Sequence, residues 1–262
     1  MENNKKRMVV ISDLHCGHRV GLTPPKWQQN DDNKYAKVQK SVWKFFTEQL
    51  EKIKPIDIVV INGDAIDGQG KKSGGTEHIT TDRNEQVDMA NECIQQIGAP
   101  KIYMTYGTGY HTGNEEDFES ILATQISSRI KSHLQLDVNG LIFDFKHKVG
   151  SSTVPYSRAT AIGKEQIWNL VWAESKGMPI SDVIVRSHVH YYDLSKRNGK
   201  TMVTTPALQG YGSKYGSRLC SGTIDIGFLS FDVTDRDDWE MTEHLVDLSV
   251  TSEWLKDNVL TA

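Results

Sequence analysis

The chain has 262 residues, with 30 Lys and Arg against 34 Asp and Glu, so its formal charge is −4, and 37% of its residues are hydrophobic. This length can bury a core without staples, and the composition excludes a disordered or fibrous chain. The mild acidity excludes the overall basic footprint of a dedicated nucleic-acid binder, though not a local basic groove.

In chain order, Lys6–Ser12 reads as a buried strand and Tyr35–Lys54 as a helix with Val38, Val42, Phe45, Phe46 and Leu50 on one stripe. Pro55 stops that helix, and Ile56–Ile61 is the next strand. Asp82–Ile97 is helical and closed by Gly98 and Pro100, and Ile102–Tyr106 is a third strand. Glu115–Ser132 reads as a further helix. A hairpin follows, with Gln135–Val138 and Leu141–His147 joined at Asn139-Gly140. Thr160–Lys176 is a helix and Asp182–Arg186 a strand. A second Asn-Gly turn, Asn198-Gly199, joins Tyr191–Lys196 to Lys200–Thr205, and Thr223–Val233 and Glu240–Leu248 close the chain as strands.

Strand and helix alternate in the first half, and hairpins dominate the second. This predicts an α/β fold built on two sheets, in which parallel βαβ units lead into antiparallel strands. No repeat or linker divides the chain, so a single domain over residues 1–262 is expected. The longest apolar runs, Met8–Ile11 and Ile58–Ile61, are too short for a membrane helix, and no signal peptide is readable. A cytoplasmic protein without a membrane partner is expected. Cys16, Cys93 and Cys220 make no disulfide framework or zinc-ribbon spacing and read as reduced, packed thiols. Four segments lack regular patterning, Val20–Asn33, Gln69–Thr81, Lys148–Ala159 and Pro206–Gly222, and long loops in a compact domain are more often functional than idle.

The chemistry gathers where strands end. Asp13 and His15 follow the first strand, and residues i and i+2 of an extended chain share a face. Gly63-Asp64-Ala65-Ile66-Asp67-Gly68 follows the second; taken alone, Asp64 there reads equally as a helix N-cap. Gly107-Thr108-Gly109-Tyr110-His111 follows the third. His147 ends the strand begun at Leu141, and His188-Val189-His190 ends the strand begun at Asp182. Singly these are weak signals. Five successive strand ends bearing Asp and His suit two divalent ions together, with Asp64 able to bridge them through its two oxygens.

In order and spacing, Asp13-x-His15, Gly63-Asp64-x-x-Asp67, the Gly107…His111 turn, His147 and His188-x-His190 resemble the calcineurin-like metallophosphoesterase superfamily over roughly the first 210 residues. The resemblance implies a four-layer αββα sandwich of two mixed β-sheets with a dinuclear centre at the strand ends. It implies that Asp13, His15, Asp64 and His190 hold one ion, and that Asp64, His147 and His188 hold the other. It further implies that a metal-bridging hydroxide attacks phosphorus, that His111 protonates the leaving group and that Asp67 orients His111. Two divalent ions are the expected cofactors, manganese foremost, with iron, zinc or nickel compatible with the same ligands.

The chain departs from that pattern at the usual Gly-Asn-His. Its asparagine ligand is missing, and either Thr108 or Tyr110 stands in its place, Thr108 being preferred because Gly107 directly follows the strand. The variant turn is similar to that of phage- or prophage-encoded members. Gly68 and Tyr106 stand where the family's protein phosphatases carry arginines that clamp a phosphomonoester. The expected activity is therefore a phosphodiesterase acting on a nucleotide-like or nucleic-acid diester. A phosphomonoesterase for small organic phosphates is the alternative, and a non-catalytic scaffold of the same fold is a third reading.

Arg158, in the loop after His147, is a candidate substrate contact. Lys71, Lys72 and Arg83 could hold phosphate oxygens but read equally as surface charge. Trp27, Tyr35, Tyr211 and Tyr215 could stack on a base, or pin loops to the body. His18 reads as a solvated loop histidine, and His78, His133 and His244 match no motif and read as surface or packed residues.

Overall fold

The computed structural model describes residues 5–247 except 31, 34, 72, 114–116, 153 and 213–223. Two mixed β-sheets are flanked by helices. The first sheet orders β11(Trp239–Leu245), β10(Gly227–Val233), β1(Lys6–Ile11), β2(Ile58–Asn62), β3(Lys101–Thr105) and β4(Arg129–Lys131). Within it β1, β2, β3 and β4 run parallel, and β10 is antiparallel to both of its neighbours. The second sheet orders β5(Leu134–Val138), β6(Leu141–Lys148), β7(Val183–Ser187), β9(Lys200–Thr204) and β8(Asp193–Arg197), parallel only along β6–β7–β9.

Period-2 alternation builds the layers. Met8 and Val10 of β1 face the second sheet, where Phe143, Phe145, Val183 and Val185 complete a core between the sheets. Val9 and Ile11 face the opposite way, onto α1(Ala36–Ile53), α2(Arg83–Gln95) and α4(Phe118–Gln125), the one-turn α3(Gly109–Thr112) lying between the last two in the chain. The predicted α1 stripe packs there through buried Val38, Val42, Phe46 and Leu50, with Phe45 half-buried against it. On the far side α5(Arg158–Lys176) covers the second sheet, burying Ile162 over Ile184 and Met202. Together these make the four layers expected from the sequence, α–β–β–α.

One predicted element is corrected. The helix expected over Glu115–Ser132 spans only Phe118–Gln125 among the described residues, and Arg129–Lys131 is a strand. Ser127 adopts φ +54°, which breaks the helix, and Arg129–Lys131 supplies the hydrogen bonds that the edge of β3 would otherwise lack. Cys16 and Cys93 are buried and free with their sulfurs 3.9 Å apart, as packed thiols; Cys220 lies outside the described residues.

Because β1, β2, β3, β6 and β7 all finish at one end of the sandwich, the five motif-bearing loops meet there. Just beneath them the Asn62 side chain donates to Ser187 Oγ at 2.6 Å, accepts from Thr105 at 2.8 Å, and so ties the sheets together.

Candidate metal centre

The predicted site residues leave their strands with strained backbones. Among the described residues eight non-glycine residues have positive φ, and five of them are Asp13, His15, Asp64, His188 and His190. Such strain persists only where the surroundings over-determine it, and it collects at functional sites. Two glycines make the close approach possible. A Cβ at Gly107 would lie 2.1 Å from Asp64 Oδ1, and one at Gly63 would lie 2.5 Å from Nδ1 of His147.

Three groups of side chains bring ligand atoms within 4.8 Å of one another: Asp13, His15 and His190; Asp64, His147 and His188; and His15, Asp64 and His111. Asp64 thus stands in the middle, sharing His15 with the first group and His147 with the second. His147 Nε2 is 2.9 Å from Asp64 Oδ2, and His190 Nε2 is 3.2 Å from Asp13 Oδ1.

The donor set fits divalent cations. Asp13 Oδ1 and His147 Nε2 are buried without a hydrogen-bond partner, although charged groups lie close to both. The other ring nitrogen of His147 reaches the Asn62 carbonyl at 2.8 Å, which sets the tautomer and turns the Nε2 lone pair into the centre. Burial pushes the Asp13 carboxyl up, yet His190, His147 and His15 outweigh it and hold Asp13 well below the ordinary range. Asp64 is likewise lowered, mainly by His147 against the cost of burial, and His147 is raised in turn by Asp64 and Asp13. Buried carboxylates kept ionised in this way demand positive charge.

Asp67 sits differently from the expectation that it would orient His111 with its carboxylate. Its Oδ1 meets Nδ1 of His15 at 2.8 Å, whereas Nδ1 of His111 meets the Asp67 main-chain carbonyl at 2.7 Å and the carboxylate only at 3.4 Å. The His111 pKa is lowered, by burial and by the nearby His15. Thr108 lies against Asp64, its amide donating to Oδ1 at 2.7 Å and its hydroxyl at 3.2 Å.

Sequence reasoning missed two buried residues. His78 comes in from the long loop after Asp67 and puts Nε2 2.7 Å from Asp67 Oδ2. Glu119, in the first turn of α4, accepts from the amides of Ala65 at 2.9 Å and Gly107 at 2.7 Å, bracing the two turns that carry Asp64 and Thr108. Burial and the Asp64 charge push its pKa up to about 7. Its sequence signal is an acid placed among the apolar residues Phe118, Leu122 and Ala123 that α4 buries.

His18 is not the solvated residue expected. It is buried against His78, its Nδ1 accepts from the Val20 amide, and burial lowers its pKa to about 4. Arg158 lies over the ring of Tyr191, next to His190, at 4.1 Å. Arg83 covers the Phe118 ring at 4.0 Å and, with Lys71, Gln69 and Tyr110, walls a cavity of about 70 Å³ beside His111. Trp27 and Tyr35 pack against the core, as pins for their loops; Lys72 and Tyr215 lie outside the described residues. His133 pairs with Asp144 at 3.1 Å, and His244 stacks on Phe228.

No family model and no curated protein matches the chain. Among solved structures it is similar to Vps29 of Cryptosporidium parvum, with 14% identity and TM-score 0.48 over 91% of this chain and 97% of that one. It is similar to Chaetomium thermophilum Vps29, with 14% identity and TM-score 0.48 over 92% and 95% of the two chains. It is also similar to an archaeal phosphodiesterase, with 10% identity and TM-score 0.44 over 90% and 99%.

Proposed function

We propose that this chain is a metal-dependent phosphoesterase and that phosphodiesters, of nucleotide or nucleic-acid type, are its substrates. The observation that carries the reading is the pair of Asp/His groups joined through Asp64, with Asp13 Oδ1 and His147 Nε2 buried among them, close to His190 and Asp64 but without a well-formed hydrogen bond. In this reading Asp13, His15 and His190 hold one divalent ion, His147 and His188 hold a second, and Asp64 serves both. When bound, the two ions supply the charge that neutralises a phosphate and activates water at neutral pH.

The chain's own residues do the rest. Asp67 fixes the tautomer of His15, leaving its Nε2 as the ligand atom. The Asp67 carbonyl holds Nδ1 of His111, so Nε2 is the atom that gives a proton to the leaving oxygen. Thr108 steadies Asp64 in the place where the resembled family has asparagine.

A diester is favoured over a monoester by what stands in the two arginine positions. A Cβ at Gly68 would lie 2.6 Å from the His111 carbonyl, so no arginine fits there, and the Tyr106 hydroxyl is bonded to Ser120 Oγ at 2.9 Å. The test compares bis-p-nitrophenyl phosphate with p-nitrophenyl phosphate, using chelator-stripped protein with Mn²⁺ added back. Metal-dependent turnover of the diester, abolished in Asp64→Asn, supports the proposal. Turnover of the monoester alone makes the chain a phosphomonoesterase. Bound metal without turnover of either makes it a scaffold.

A further inference from the structure

The helix α5 docks through Ile162 together with the polar side chains of Glu165 and Asn169, and none of the described residues covers the large apolar side chains on its other side. Ile162 and Asn169, its buried residues, lie on one line along the axis. Asn169 donates to Asp144 at 3.1 Å and to Ser181 at 3.0 Å, and Glu165 pairs with buried Arg186 at 2.7 Å. At 100° per residue, Ile167 and Val171 fall roughly opposite that line, flanked by Trp168 and Leu170. Their exposures are 63%, 44%, 57% and 49%, and Trp172 adds 38%.

Single exposed apolar residues are ordinary, but a contiguous group is not. Trp172 turns back toward His133 and Lys146, and the other four side chains leave about 400 Å² in solvent, so two such faces would bury about 800 Å², the size of a weak, micromolar contact. The face is also its own complement. Reversed about Asn169, Ile167 and Val171, within about 20° of the outward line, meet across the seam, and Trp168 and Leu170 form its two edges. The exposed charges Lys164 and Glu174 fall opposite each other, five residues to either side.

We propose that the outward face of α5 packs against the same face of a second copy of this chain, antiparallel about a two-fold axis at the level of Asn169. In such an isologous pair each contact occurs twice, so Lys164 meets Glu174 at both ends. The pairing is independent of the phosphoesterase reading.

Sedimentation velocity from about 1 to about 100 μM tests it. The wild type is expected to pass from monomer to dimer in that range, and Val171→Glu to stay monomeric with an unchanged melting curve. Lys164→Glu and Glu174→Lys should each weaken association at least about tenfold by setting like charges opposite one another. The double variant, with the charges exchanged, should restore it. A wild type that stays monomeric throughout, a dimer that Val171→Glu leaves intact, or a double variant no better than the singles each overturns the proposal.

Discussion

Asp67 gives its carboxylate to His15 and its main-chain carbonyl to His111, at 2.8 Å and 2.7 Å. One residue therefore orients a ligand with its side chain and a proton donor with its backbone, and the two roles can be separated by mutation. Asp67→Asn keeps the carbonyl that holds His111 and weakens the carboxylate's hold on His15 and His78. It is expected to loosen Mn²⁺ by about 10–100-fold and to depress all substrates alike. His111→Ala should lose about 10²–10⁴-fold on a dinucleotide, whose alkoxide needs a proton, and much less on a p-nitrophenyl diester. Metal titration together with rates on both substrates separates them; a loss confined to the dinucleotide in Asp67→Asn would contradict the assignment.

His78 is the second imidazole on Asp67. In His78→Ala the Asp67 Oδ2 atom, 2.7 Å from Nε2 in the native protein, loses its partner while still buried. The expected cost is about 1–3 kcal/mol of folding stability. Metal affinity should drop as well, because Asp67 then holds His15 less firmly. Denaturant midpoints and a Mn²⁺ isotherm measure both, and two unchanged values would leave His78 without a part in the centre.

Gly107 is tested by a single methyl. In Gly107→Ala the new Cβ meets Asp64 Oδ1 at 2.1 Å and the Asp64 amide nitrogen at 2.3 Å, so Asp64 must shift. A displacement near 1 Å at a reacting centre costs on the order of 10²-fold in rate. Gly98→Ala is the control, since it also adds a methyl but meets nothing within 4 Å. Its backbone φ of +70° makes it mildly destabilising, and its rate should be unchanged.

Away from the centre, Asp144 links stability to acid. Burial alone would raise its pKa, but the His133 contact and Arg186 outweigh burial and bring it to about 2 from 3.8. A carboxyl with a depressed folded pKa contributes stability in full above the unfolded value. That contribution, about 2 kcal/mol, is lost as pH falls from near 4 through about 2. Urea midpoints measured between pH 5 and pH 2 should fall less steeply in Asp144→Asn than in the wild type; parallel slopes would rule this pair out as an acid-sensitive link.

Much of the centre could be read along the chain because each ligand lies within a few residues of the end of its own strand. Asp13 and His15, or His188 and His190, need only local geometry to share a face. His78 could not be read in this way. It reaches Asp67 from eleven residues away, through a loop held on the His15–Val20 turn by the Arg19 and Ile79 amides. Glu119 was hidden for a similar reason, since its partners Ala65 and Gly107 belong to two other loops. The α4 helix was overestimated because Ile126 and Ile130 continue a helical spacing, yet β3 had an open edge and took Arg129–Lys131 as a strand.

The sequence by itself determined the layer pattern and the kinds of atom brought to the strand ends. The continuous apolar runs of β1 and β2, the α1 stripe and the two Asn-Gly turns act over short spans, where local sterics and burial decide. Only the tertiary structure decided which oxygen of Asp67 serves which histidine, and that α5 sets Glu165 and Asn169 inward beside Ile162. Those outcomes depend on segments up to 52 residues apart, as between His15 and Asp67, competing for the same buried hydrogen-bond partners. The packing of those loops and of α5 against the sheets settles that competition, and no local periodicity encodes it.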